Sequence, residues 1–365
     1  MRHVVVNGAN GYVASHFISA LLKRGLVVTA LVRAGRQQSA LERVSAALLA
    51  ANGDLCLPMD KLRVKEYSLH EKNLGLDSQE AARIFSGRVD YYHFAASLKY
   101  DEKSWKEIYA ANVEGLENSL KTFTAHAGSE GRFFYVGTAY SCGHHQGLFR
   151  ESFYPDAGIS AFRNYYELSK RMGENLVRTF IEEHGLAAHV LRLSQVVGDS
   201  SNGQVATDYG VFDFTRRMAR LARRYPQRKV RVKIDPNGSQ NLIPVNQVVA
   251  HLLRSTEIDE LPVVMHIVAR EGVSNSYILR QLNELLPIDL QAEPQLKQQD
   301  MDAVERLVAV GMSFTGEYSR LNLHFDTGQR DRVMGAEAGV VTPDDVGRML
   351  RTFVAAGNYA EAGSV

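Results

Sequence analysis

Through the first half of the chain, short apolar runs rich in β-branched residues alternate with stretches whose apolar residues return every three or four positions. The runs at Val4–Val6, Val27–Val32, Leu62–Tyr67, Tyr91–Phe94, Arg132–Val136 and Ala188–Leu193 read as strands buried on both faces. The stretches at 12–23, 36–52, 105–125 and 165–184 read as helices. Strand and helix in strict alternation predict an α/β fold, a doubly wound parallel sheet covered on both sides. After Gly198 the pattern loosens into the turn-rich Asp199-Ser200-Ser201-Asn202-Gly203. Strands at Val230–Ile234 and Val263–Val268 are expected to rejoin the sheet. Residues 1–198 are then the sheet domain, and 199–229 with 273–365 a smaller C-terminal cap that binds substrate.

The first strand breaks into Asn7-Gly8-Ala9-Asn10-Gly11-Tyr12-Val13-Ala14 and continues as an amphipathic helix with Val13, Phe17, Leu21 and Leu22 on one face. Gly8 permits the tight turn, Gly11 lets backbone approach a pyrophosphate, and small Ala14 allows the helix to pack closely on the strand. This spacing between strand and helix marks a Rossmann-type dinucleotide site, with the diphosphate against N–H groups at the helix N-terminus. Gly8, Asn10, Gly11, Tyr12 and Val13 are the expected contacts. An acid about 20 residues past the glycines would bind the ribose hydroxyls of NAD. The second strand here closes instead on Arg33, with Arg36 three positions on. A planar fork of donors suits a 2′-phosphate, which makes NADPH the expected cofactor.

Composition narrows the class further. With 365 residues, 45% hydrophobic and 23% charged, the chain can bury a full core. A net charge of +1 supplies no general attraction to nucleic acid or an anionic membrane. No apolar run approaches the roughly 20 residues of a membrane helix, and the first strand starts almost at Met1, so a cytoplasmic protein is expected. The two cysteines, Cys56 and Cys142, are too few for a disulfide framework and lack metal-ligand spacing.

Candidate chemistry lies farther along. Tyr166 and Lys170, four apart at the start of a helix, rise from one face. An ammonium beside a phenol would lower a pKa that starts near 10, readying the hydroxyl for proton transfer. Lys170 could also hold the nicotinamide ribose. Phe134-Tyr135-Val136-Gly137-Thr138 places a hydroxyl at the C-terminal edge of a strand, where doubly wound sheets bind ligands, and Thr138 could donate to a developing oxyanion.

Together these residues resemble the extended short-chain dehydrogenase/reductases, in which a hydroxyl residue, Tyr and Lys form a catalytic triad. Within that family, Leu31-Val32-Arg33-Ala34 with Ala40 and Arg43, His93-Phe94-Ala95-Ala96, Ala111-Asn112-Val113-Glu114-Gly115, Gly137-Thr138-Ala139-Tyr140 and Val196-Val197-Gly198-Asp199-Ser200 are similar to the thioester-reductase and fatty-acyl-CoA-reductase branch. Ile243-Pro244-Val245 and Phe325-Asp326-Thr327 resemble its C-terminal landmarks. The resemblance implies Thr138, Tyr166, Lys170 and Asn112 as catalytic residues, Asn112 supporting a water network. It implies Arg33 and Arg43 at the 2′-phosphate, and Ser68, Leu69, Ala95, Ala96, Leu193 and Val196 along the cofactor. Two departures stand out: Tyr67-Ser68 replaces the branch's Gly-Asp pair, and Leu193 its proline.

The implied reaction is hydride transfer from NADPH to the carbonyl carbon of an acyl thioester, with Thr138 and Tyr166 stabilising the oxygen. Loss of thiol leaves an aldehyde, which a second hydride would carry to an alcohol. The acyl group would arrive on coenzyme A or on a separate carrier protein. Members with this layout also reduce ketones and aldehydes or epimerise and dehydrate sugar nucleotides; Arg33 argues against the tight NAD retention an epimerase needs. A non-catalytic NADP-sensing protein is the reading from another class, and the intact Tyr166 and Lys170 stand against it.

Three weaker features complete the sequence. Arg216, Arg217, Arg220, Arg223, Arg224, Arg228 and Lys229 form a basic cluster that suits coenzyme A phosphates, an acidic carrier or plain solvent. His144-His145 beside Cys142 offers too few ligands for a metal site. Trp105, Tyr140 and Tyr165 either line a pocket or pack in the core. Oligomeric state is left open.

Overall fold

The computed structural model describes residues 2–35, 37–54, 56–207, 209–311, 318, 321–335 and 340–357. Arg36 lies outside the described residues. The chain divides into two compact units, Met1–Ser194 with Gln247–Ile267 and Phe325–Ala338, and Gln195–Asn246 with Val268–His324 and Gly339–Val365.

The first unit carries a seven-stranded sheet. Its strands are β1 (His3–Asn7), β2 (Val28–Val32), β3 (Leu62–Glu66), β4 (Val89–His93), β5 (Arg132–Thr138), β6 (Ala188–Leu193) and a later strand, Val264–Ile267, which pairs with β6. Every pairing is parallel, in the spatial order Val264–Ile267, β6, β5, β4, β1, β2, β3. The order reverses between β1 and β4, so the chain leaves those neighbours in opposite directions and opens a crevice at their C-terminal ends.

Period-two alternation divides the aromatic residues between the two faces. Tyr92 stacks on Phe134 with ring centres 4.3 Å apart and meets Phe17 of α1 (Tyr12–Lys23) at 4.8 Å. Its neighbour Tyr91 faces the other way, onto Phe85 of α3 (Ser78–Phe85) at 5.1 Å and Phe123 of α5 (Gly115–His126) at 5.8 Å. Between α1 and α3 lies α2 (Ala40–Asn52), opened by a Ser39/Glu42 capping box and closed by Gly53 in the left-handed region. The expected start at 36 is therefore early by four residues. Short, charge-rich α3 had no apolar period long enough to be read from sequence.

The helix expected over 105–125 is not uniform. α4 (Trp105–Tyr109) passes into a π-helical turn, Ala110–Glu114, before α5 resumes. The helix α6 (Tyr165–His184) runs from an Asn164 cap to a left-handed Gly185, as its amphipathic pattern predicts.

In the second unit, α7 (Val211–Arg224), α9 (Asn275–Leu285) and α12 (Pro343–Ala356) contribute to an apolar cluster that includes Phe212, Met218, Leu221, Leu282, Met349 and Leu350. Between α7 and α9 runs α8 (Val245–Glu257). α10 (Ala303–Gly311) follows α9, and α11 (Gly328–Met334) belongs to the sheet unit. The strand expected at Val230–Ile234 does not rejoin the main sheet. Arg228–Val232 pairs in parallel with Ile288–Ala292 inside the second unit. Its alternating burial has only one covered face, which suits a small satellite sheet and not the doubly covered one.

Candidate active site

The crevice is built from the end of β1. Asn7 is fully buried, and its Oδ1 accepts from the Phe94 amide at 2.8 Å and the Ala95 amide at 3.0 Å. Its Nδ2 donates to the Tyr91 hydroxyl at 2.8 Å and lies 2.8 Å from His93 Nδ1. One side chain thus satisfies the loop after β4 and draws it against the glycine turn. Gly8 sits at φ +59, and a Cβ there would lie 3.0 Å from the Ala95 nitrogen, so both conformation and contact demand glycine. The Gly11 amide donates to the Gly8 carbonyl at 2.8 Å and caps α1 without any side-chain acceptor. No side-chain oxygen thus stands at the start of α1, the end of a helix that attracts an anionic group. Asn10, Tyr12 and Val13 are half-buried on this turn, while Ala95 and Ala96 are half-buried after β4.

At the end of β2, Arg33 is exposed, and Arg43, on the first turn of α2, donates from its guanidinium to the Arg33 carbonyl. Both guanidinium groups act electrostatically on the Tyr67 phenol, which is buried and hydrogen-bonded by the Gly8 backbone. Burial drives that phenol up to about 12, against the hydrogen bond and the two arginines. Tyr67 therefore occupies the underside of the glycine turn, where a smaller Gly-Asp pair was expected from the resemblance. Ser68 and Leu69 follow, half-buried; Leu69 is held by Asn118 Nδ2 on its carbonyl at 2.8 Å and by Gly115, whose missing Cβ would lie 3.1 Å from Leu69 Cβ.

Thr138 ends β5 and is buried, its Oγ1 donating to the Leu193 carbonyl at 3.3 Å and accepting from the Tyr140 amide at 3.3 Å. Leu193 is thus tied to Thr138 through its backbone. Val196 belongs to the second unit, on a three-residue strand opposite Ile243.

From α6, Tyr166 and Lys170 rise one turn apart. The expected lowering of the phenol by the ammonium is not found. Burial, with Glu167 beside it, raises the Tyr166 phenol above its ordinary value. Lys170 is instead drawn to the Val136 carbonyl at 3.1 Å and lies 4.5 Å from the centre of the Tyr135 ring. Its own pKa falls to about 8 through burial, with Glu174 opposing. Lys170 also acts on His93, which burial already holds neutral down to about pH 3.

Asn112 lies in the π-helical turn with its side chain fully engaged. Oδ1 accepts from the Ser97 amide at 2.6 Å, and Nδ2 donates to the Ser97 carbonyl at 3.1 Å and to Ser169 Oγ at 2.9 Å. It pins the loop after β4 to α6 beside Lys170, a bracing geometry that the π-helical turn makes available. Trp105 stacks near Tyr165, with ring centres 5.0 Å apart. His145 packs on Phe149 and Tyr154, and Cys142 is a buried thiol pushed up to about 11 by its surroundings. In the second unit, Asp213 pairs with Arg216 and Arg217, and Arg228 pairs with Asp302.

Asn7, Tyr67, His93 and Glu174 carry no functional assignment in the sequence reading. For Asn7 a signal existed: an amide at the end of a β-branched run must find buried partners.

A parallel sheet with a glycine turn at its switch point and Thr, Tyr and Lys at one edge agrees with the family match over residues 6–252. The chain belongs to the male sterility protein family. That match bears out the resemblance to the extended short-chain dehydrogenase/reductases. Among curated relatives it is 26% identical over 303 residues to dTDP-4-dehydro-6-deoxy-D-allose reductase of Streptomyces bikiniensis, covering 78% of this chain and 81% of that protein. It is 25% identical over 198 residues to an uncharacterized protein of Schizosaccharomyces pombe, 54% of this chain but only 19% of that one. Among solved structures, the terminal R domain from the myxalamid PKS-NRPS pathway matches with a TM-score of 0.79 at 19% identity, covering 100% of this chain and 93% of that one. UDP-glucuronic acid 4-epimerase from Bacillus cereus matches with a TM-score of 0.67 at 14% identity, covering 97% and 99%. These structural likenesses establish the shared fold. No helix among the described residues is long and apolar enough to cross a membrane.

Proposed function

We propose that this protein is an NADPH-dependent reductase that converts an acyl thioester to an aldehyde. The observation that carries the reading is Lys170 of α6 on the Val136 carbonyl of β5, the strand that ends on Thr138, with Tyr166 one turn earlier on the same helix and its phenol held protonated. A protonated phenol can donate to an oxygen as negative charge builds on it, which is what carbonyl reduction requires.

The residues present fit a dinucleotide. Gly8 is free of any Cβ at its contact with Ala95, and the start of α1, capped by Gly11 with no side-chain oxygen, suits a diphosphate. Arg33 and Arg43 would hold the 2′-phosphate of NADPH, with Arg36 between them in sequence. Ser68, Leu69, Ala95, Ala96 and Leu193 would line the remainder. Bound NADPH supplies a hydride. Tyr166 and Thr138 orient and stabilise the carbonyl oxygen, and Lys170 holds the ribose while countering charge near the phenol. Asn112 keeps Lys170's helix in place through Ser169.

Support for a thioester comes from the family and from likeness to the myxalamid R domain along the whole chain. A second reading, reduction of a keto group on a nucleotide sugar, is favoured by the Streptomyces bikiniensis relative, itself named as a reductase. Cofactor oxidation with acyl-CoAs, carrier-bound acyl groups, aldehydes and keto sugar nucleotides separates the two. Turnover of thioesters with release of free thiol is the expected result; turnover of keto sugars alone selects the second reading.

A further inference from the structure

Along α6, Tyr166, Lys170 and Glu174 recur every fourth residue and therefore share one face. Glu174 is fully buried, and its contacts reach β6 and the turn that follows β5. Its Oε2 pairs with the Arg192 guanidinium of β6 at 2.7 Å and its Oε1 with Arg192 Nε at 3.0 Å, a bidentate pair with both side chains fully buried. Oε1 also accepts from Ser141 Oγ at 2.7 Å, in the turn that follows Thr138. Arg192 adjoins Leu193, whose carbonyl receives the Thr138 hydroxyl. Glycine at 173 lets this face approach β5, since a Cβ there would lie 2.5 Å from the Tyr135 hydroxyl.

The charged surroundings are mixed. Lys170 is faced by Glu174 on its own helix, by the Tyr135 ring of β5 and by His93 of β4. Glu174 is faced by Arg192, by Arg171 of its own helix and by Tyr135. Arg192 in turn meets His266 Nε2 at 3.2 Å and donates to the carbonyls of Arg150 and Ser152. Glu174 is the carboxylate that acts on both Lys170 and Arg171.

We propose that Glu174 is the positioning residue of this site, tying the Thr138 turn, β6 and α6 into one register and placing a buried carboxylate on the face of α6 that carries Lys170. This rests on the reductase reading for Lys170's role, but its first test does not use turnover. In apo-protein carrying ¹³C-labelled lysine, the Lys170 resonance, assigned by its loss in Lys170→Met, is titrated by NMR in the native chain, in Glu174→Gln and in Glu174→Asp. Removing the carboxylate leaves the buried Arg192 cation uncompensated, so the Lys170 midpoint should fall by about one unit or more in Glu174→Gln. Glu174→Asp, which keeps the charge, should fall less. The alkaline limb of the kcat/KM profile should move to lower pH in step with the midpoint. Ser141→Ala, which cuts only the tie to the turn, should lower kcat with KM for cofactor and the profile unchanged. An unmoved midpoint in Glu174→Gln overturns the proposal, as does an unchanged kcat in Ser141→Ala should Glu174→Gln not fold. Absence of cofactor oxidation by the native chain with every thioester, aldehyde and ketone offered would instead overturn the reductase reading, leaving the lysine titration intact, so the two failures are told apart.

Discussion

At the scale of single residues, the site depends on a few buried polar groups whose partners are remote in the chain. Tyr166→Phe removes the proton donor and should cut kcat by about 10²–10⁴-fold while cofactor binding, followed by NADPH fluorescence, is kept. Arg33→Ala should weaken NADPH more than NADH, measured as the ratio of the two dissociation constants; an unchanged ratio would remove Arg33 from the 2′-phosphate. Asn7→Leu leaves the Phe94 and Ala95 amides without their acceptor and should cost about 1–3 kcal/mol in urea unfolding. The demand for glycine at position 8 was legible because backbone freedom is a local property. Asn7, Tyr67 and Glu174 were not, because their meaning lies in Ala95, Gly8 and Arg192, which only the folded chain brings near. The supposed action of Lys170 on Tyr166 failed for a related reason: spacing puts two side chains on one face, but the Val136 carbonyl and the Tyr135 ring decide where the ammonium rests.

At the scale of elements, α6 is the part that matters most, and its contact with β5 runs through Gly173 and Tyr135. The Tyr135 hydroxyl is buried with no hydrogen-bond partner, so Tyr135→Phe should leave stability unchanged or raise it, as read by thermal unfolding. Gly173→Ala places a methyl 2.5 Å from that hydroxyl and should destabilise by about 1–3 kcal/mol, with partial rescue in the double variant lacking the hydroxyl. Additive losses in the double variant would mean the two do not touch in solution. Periodicity identified α6 to its ends, since Asn164 and Gly185 cap a strongly amphipathic run. It could not identify the π-helical turn at Ala110–Glu114, where the apolar spacing stays helical while the hydrogen bonds shift by one residue. Nor could it choose a partner for the strand at Arg228–Val232, because alternation tells which face is buried and not which strand lies alongside.

At the scale of the molecule, the sheet unit buries several imidazoles as neutral groups. Burial lowers His93 and His266 to about 3 and His189 to about 4. In the unfolded chain each returns to about 6.5 and takes up a proton that the folded form refuses. The stability these groups confer is therefore complete above pH 6.5 and declines as pH falls toward 4, each contributing about 1.4 kcal/mol per pH unit across that window. Urea unfolding between pH 7 and pH 4 should show this slope, reduced in His189→Gln; an equal slope in the variant would assign the acid sensitivity elsewhere. Fold class was legible because six of the seven parallel strands are buried almost throughout, only β3 at the sheet edge being half-exposed. The central claim remains the conversion of a thioester by NADPH at Thr138 and Tyr166. Its most direct test is a single-turnover experiment in which NADPH absorbance and free thiol are followed together after mixing with an acyl-CoA. Loss of NADPH in step with thiol release, abolished in Tyr166→Phe, is the predicted result; NADPH loss only with aldehydes, ketones or keto sugars, and no thiol from any thioester, would contradict it.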